Sequence, residues 1–138
     1  MKKNVALTAL ILSCLMYANA EKTKVYSEAF FGNTESLIAY ENAILDCIND
    51  IALYRNDSYI GIQKYSVSEN SFFMGTVEIN HVTEKEFNYW LIELKDENMN
   101  EVKICRIYDR PHEKDKNLKL EESFEYVKEN GVWYEVDE

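Results

Sequence analysis

Apolar residues recur with two different periods, and the change between them divides the chain. In residues 37–54 the apolar positions are Leu37, Tyr40, Ile44, Cys47, Ile48, Ile51 and Tyr54, spaced mostly by three and four. Glu41, Asn42, Asp46, Asn49 and Asp50 fall on the other side. That spacing predicts one amphipathic helix of about twenty residues, with Cys47 on its buried stripe. Gly32-Asn33-Thr34 supplies a turn and a helix N-cap just ahead of it, after a stretch holding Val25, Tyr26, Phe30 and Phe31.

After about residue 56 the period falls to two, in segments rich in Tyr, Phe, Ile and Val, so the rest of the chain is expected to be sheet. Residues 59–67 and 72–82 flank Ser68-Glu69-Asn70-Ser71 as a hairpin would, with Phe73, Val77 and Ile79 on one face. Residues 87–95 and 102–108 flank Asp96-Glu97-Asn98-Met99-Asn100 and repeat the pattern, with Cys105 and Ile107 sharing a face. Residues 109–122 hold the only Pro, His112 and a run of charges, and are expected to form an exposed connection. The chain ends in two apolar-polar segments around Asn130-Gly131, a pair that favours a tight type I′ hairpin. No repeat or interdomain linker interrupts this pattern, which suits a single core.

The first twenty residues differ from all of this. Lys2-Lys3, an apolar run over residues 5–16 and Ala18-Asn19-Ala20 ahead of Glu21-Lys22 have the three parts of a cleaved secretory signal, giving a signal at 1–20 and one domain at 21–138. The run is about a dozen residues, short of the roughly twenty that a spanning helix needs. Ile11-Leu12-Ser13-Cys14 offers an alternative, lipid attachment at Cys14, and an uncleaved anchor is a third. Cleavage after Ala20 leaves 118 residues with thirteen basic and twenty-five acidic side chains, a net charge of −12 against −10 for the whole chain. The short lysine-led signal points to a bacterial periplasm. Asn56-Asp57-Ser58 is a glycosylation sequon that matters only in eukaryotic secretion. With Cys14 removed, Cys47 and Cys105 remain in an oxidising compartment and are expected to pair, provided their Cα atoms lie within about 7 Å. Closing that loop contributes about 4 kcal/mol in the chain-entropy picture. Two buried free thiols are the alternative.

A helix followed by antiparallel strands and closed by Glu129-Asn130-Gly131-Val132-Trp133-Tyr134 resembles the cystatin-like and NTF2-like α+β domains. The resemblance spans about residues 34–136 and implies one long helix packed on a curved antiparallel sheet. That group holds enzymes and pure binding proteins alike, so it leaves function open.

Candidate chemistry is sparse. His81 and His112 are the only histidines, about thirty residues apart, and nothing resembles G-x-S-x-G. The cysteines have no His near them in sequence and are better explained by pairing than as nucleophiles. Asp96, Asn98 and Asn100 imitate the first ligands of a calcium loop, but Glu101 stands where Gly is required and Ile107 where a bidentate Glu is needed. Asp109, His112, Glu113 and Asp115 offer one His and no second ligand helix. No catalytic, cofactor or metal residues are therefore expected.

Ten Tyr, six Phe and two Trp are the other excess. Tyr89-Trp90 and Trp133-Tyr134 place adjacent rings on opposite sheet faces, and with Glu125 and Glu135 they are the candidate partner-binding residues, on a face the helix leaves open. Acidity argues against nucleic acid and for a basic protein partner. The expected function is a small exported, periplasmic, non-enzymatic protein that neutralises a protein partner, of the bacteriocin- or toxin-immunity type. A small-ligand carrier or enzyme with an aromatic pocket, and a surface or secretion accessory protein, are the alternatives. A deep apolar pocket on the order of several hundred Å³ with a carboxylate inside favours the carrier; a filled core favours the binder.

Overall fold

The structure is a computed structural model that describes residues 21–55, 57–69, 73–84 and 87–136. The expected signal, Cys14 and Asn56 of the sequon lie outside the described residues. Strand β1 (Glu21–Phe31) leads into helix α1 (Asn33–Asp50), which continues as a π-helical turn (Ile51–Arg55). There follow β2 (Tyr59–Ser66), β3 (Met74–Glu84), β4 (Phe87–Asp96), β5 (Glu101–Tyr108), β6 (Lys119–Glu129) and β7 (Val132–Glu135). All seven strands join one sheet in the order β1-β3-β4-β5-β2-β6-β7, every neighbouring pair antiparallel. The fold is mixed, one helix and mostly sheet, as the two periods predict.

One segment left unassigned by the sequence pattern is a strand, and one expected hairpin is corrected. The residues ahead of the helix form an eleven-residue edge strand, β1, paired with β3. Segments 59–67 and 72–82 are not a hairpin: β2 lies between β5 and β6, while β3 lies between β1 and β4. The reason is burial on both sides of β2, where Ile60 and Ile62 face one way and Gly61, Gln63 and Tyr65 the other, and all five are buried. A strand buried on both faces belongs inside a sheet. The other two hairpins form as predicted. Asn130 and Gly131 take φ of 52° and 79°, the positive values that both central residues of a type I′ turn need.

The helix start also differs in detail. Gly32, at φ 114°, precedes it, and no side chain of Asn33 or Thr34 caps it. The Ser36 hydroxyl instead donates to the Gly32 carbonyl at 3.0 Å, and the Gly32 N–H binds the Phe73 carbonyl at 2.6 Å. The last helical turn carries no basic residue to oppose the negative end of the helix dipole. Arg55, closing the π turn, supplies one, 3.5 Å from Asp57 and 3.8 Å from Asp109.

The core lies between α1 and the central strands. Tyr40, Ile44, Cys47 and Ile51 of the helical segment meet Val77, Ile92, Leu94 and Ile107 of the sheet. Cys47 and Cys105 both end in this cluster, so helix stripe and β5 do meet there, as two free thiols rather than the expected bridge. Burial pushes the Cys47 thiol up to about 12 and raises Cys105 as well. Ile92 is fully buried at the centre of this cluster. Ile92→Ala should therefore lower unfolding free energy by about 2–5 kcal/mol in urea denaturation, and a loss under about 1 kcal/mol would contradict this packing.

Candidate partner-binding site

Cross-strand partners share a face, so the register sorts every strand residue onto the helix side or the far side. The far side is less open than a sheet with one helix suggests. Gln63, Tyr65, Glu78, Asn80 and Glu93 are all buried there. Lys22 reaches from β1 to Glu93 at 2.7 Å, Lys24 reaches Glu78 at 3.1 Å, and Lys95 reaches Glu78 at 2.9 Å. Burial works against ionisation of Glu78, but hydrogen bonds from Lys95 and Lys24 outweigh it and hold the carboxyl below its usual range.

Glu93 is fully buried, and its Oε2 finds no ordinary donor. The Glu101 carboxyl of β5 is hydrogen-bonded to that of Glu93. That bond, then burial, then the Glu93 charge raise Glu101 to about 7. Burial opposes ionisation of Glu93 too, but the bonds from Glu101 and Lys22 keep it low. The two carboxylates share one proton near neutrality, inside a lattice of lysines.

Residues 109–118 lie across the rest of this face as a strap. The Gln63 amide donates to the His112 carbonyl at 3.0 Å, and the Asp115 N–H donates to the Tyr65 hydroxyl at 2.8 Å. Arg106 pairs with Asp115 at 3.0 Å, and the His112 ring lies 4.3 Å from that of Tyr108. His81 packs 4.8 Å from Trp90 on the helix side, so the two histidines stand on opposite faces. Two of the three carboxylates among Asp109, His112, Glu113 and Asp115 are paired with arginines, Asp109 with Arg55 and Arg110, Asp115 with Arg106. Asp96 accepts the N–H groups of Asn98 and Asn100 at 2.9 Å each, the work of a turn residue.

The residues singled out for partner binding alternate faces as predicted, but they do not converge. Tyr89 is half-buried on the far side, 5.0 Å from Tyr108, and Trp90 is half-buried on the helix side. Trp133 packs at the margin of the core with Lys128 over its ring, while Tyr134 is 52% exposed. Glu125 sits beside Tyr59, and Glu135 is exposed. Three strands, β5, β2 and β6, separate the two aromatic pairs in the sheet.

A groove of about 830 Å³ lies elsewhere, between β1 and α1. Tyr26, Glu28 and Phe30 stand opposite Ile79, Val77 and Gly75, which places them on the helix side of the edge strand. The helix lies mainly over β3 and β4, so this strip of β1 is left uncovered. Tyr26, Phe30 and Ile79 form the floor, and Ile38, Ala39 and Ala43 form the wall. Glu28, Glu35 and Asp46 bring three carboxylates, and no Lys, Arg or His among the described residues lines the groove. At one end Phe31 meets Phe73 edge-to-face at 4.5 Å, both rings about 60% exposed. The sequence signal for this site is Ile38, an apolar residue off the buried stripe.

No helix among the described residues is long and apolar enough to cross a membrane. Comparison with protein-family models, with curated proteins and with solved structures finds no match.

Glu101 holds its proton more tightly folded than unfolded, where its value is near 4.5. Its contribution to stability is fully present below that value and is lost as pH rises through about 7. Glu101→Gln, whose amide donates to Glu93 at every pH, should flatten the fall in melting temperature between about pH 5 and pH 8. Parallel wild-type and variant curves would refute the shared proton.

Proposed function

We propose that the chain is a small exported, non-enzymatic protein that binds and neutralises a basic protein partner, as an immunity protein does a toxin. The groove carries this reading: an apolar floor, three carboxylates and no cation among the described residues, on a chain of net charge −10. Such a surface desolvates apolar side chains at its centre and attracts cationic ones at its rim. The proton-sharing carboxylates, Glu93 and Glu101, are not among the groove's lining residues. The space between helix and sheet is filled by side chains, and the groove is open along the sheet edge, which favours a macromolecular partner over an enclosed small ligand. Its volume still falls within the range of ligand sites, so a carrier of cationic amphiphiles is the second reading.

One long helix ahead of an antiparallel run and the Asn-Gly hairpin support a fold of the cystatin-like or NTF2-like kind, from which β1 ahead of the helix and the insertion of β2 between β5 and β6 are departures. Periplasmic export is the compartment this reading implies.

Affinity capture with the tagged chain expressed in a bacterial periplasm tests the function. It should retain a basic protein whose toxic activity the chain suppresses, with retention falling steeply between about 50 and 500 mM salt. Recovery of lipids or small molecules with no protein would overturn the reading.

A further inference from the structure

We propose that the part of the partner seated in the groove is a basic amphipathic helix, lying beside α1 on the uncovered strip of β1. This rests on the protein-partner reading and adds to it the form of the docking segment.

The space itself selects that form. It belongs to the helix layer: its floor is a sheet face and its wall is the side of a helix. Glu35, Ile38, Asn42 and Asp46 follow helical spacing along that wall for three turns, about 17 Å at the usual rise. Between them Ala39 and Ala43 keep the surface low, so side chains of a second helix can seat against α1 as ridges seat in grooves. A strand added to the free edge of β1 would instead extend the plane of the sheet. It would leave the volume between Phe30 and Ala39 unfilled.

Charge fixes the composition. Glu28 stands on the strand side of the groove, Glu35 and Asp46 on the helix side, and none of the three is ion-paired among the described residues. A docking helix with one apolar stripe flanked by Lys or Arg on both sides matches all three. A second copy of this chain does not, because its own α1 carries acidic residues and its net charge is the same sign.

Two synthetic peptides of identical Leu and Lys content test the inference, one patterned at the helical period and one strictly alternating. Each is titrated into the isotopically labelled chain and followed by amide shifts and calorimetry. The helical-period peptide should bind at least about tenfold more tightly and shift amides around Phe30 and Ala39. Ile38→Asp should weaken it about tenfold, as should Glu28→Gln with Glu35→Gln and Asp46→Asn. Ile38 is 55% exposed, so its variant keeps the fold, which an unchanged melting curve verifies. Glu113→Gln with Glu129→Gln, both exposed and outside the groove, should leave binding unchanged. Equal binding of the alternating peptide, or shifts mapping outside the groove, would overturn the inference while leaving a basic partner in periplasmic capture intact. Groove binding with no protein captured would instead remove the partner reading and retain the groove's preference for a helix.

Discussion

One helix cannot cover seven strands. At the usual strand spacing of about 4.8 Å the sheet is nearly 30 Å wide, and a helix with its side chains is about 10–12 Å across. Covering must come from elsewhere on both faces, and each device described above answers that shortage. On the β2-β6-β7 side, Phe124, Tyr126 and Trp133 close the helix face with their own bulk. On the β1 side no described residue does, and the groove is the result. On the far side, strap and ion pairs replace a second helical layer.

That replacement has an energetic character of its own. Burying Glu78 and Glu93 costs several kcal/mol each unless cations and donors reach them. The lysines of β1 and β4 do so from their own stems, whose methylenes lie over the sheet while the ammonium groups reach the carboxylates. Such lattices add little net stability but are sharply position-dependent, because an acid without its cation is worse than none. Here they determine where β1 lies, since an edge strand with mostly exposed side chains has little apolar burial to hold its register.

Elements defined by neighbours in sequence were legible. The α1 stripe, the 96–100 turn and the Asn130-Gly131 turn each carry their signal within a few residues. β1 was not, because its register shifts between Lys24 and Tyr26, and that irregularity breaks the alternation that would mark a strand. The partners of β2 were not either, since Ser68-Glu69-Asn70-Ser71 has turn chemistry whether or not the flanking strands pair. The candidate site failed to show for the same reason. The aromatic pairs stand out in composition, while the groove depends on which strand ends at the sheet edge. Composition did report the acidity, but not that three carboxylates meet across one slot.

The sheet order also governs how the chain can assemble. β1 is made first, yet its partner β3 and the acids that receive Lys22 and Lys24 come more than forty residues later. β2 must wait for both β5 and β6. Loop closure therefore comes before most of the reward, the situation in which folding is slow and rises late. Until β6 is available, β2, a strand buried on both faces, has a bare edge, whereas α1 and the hairpins between sequence neighbours can form from local contacts alone.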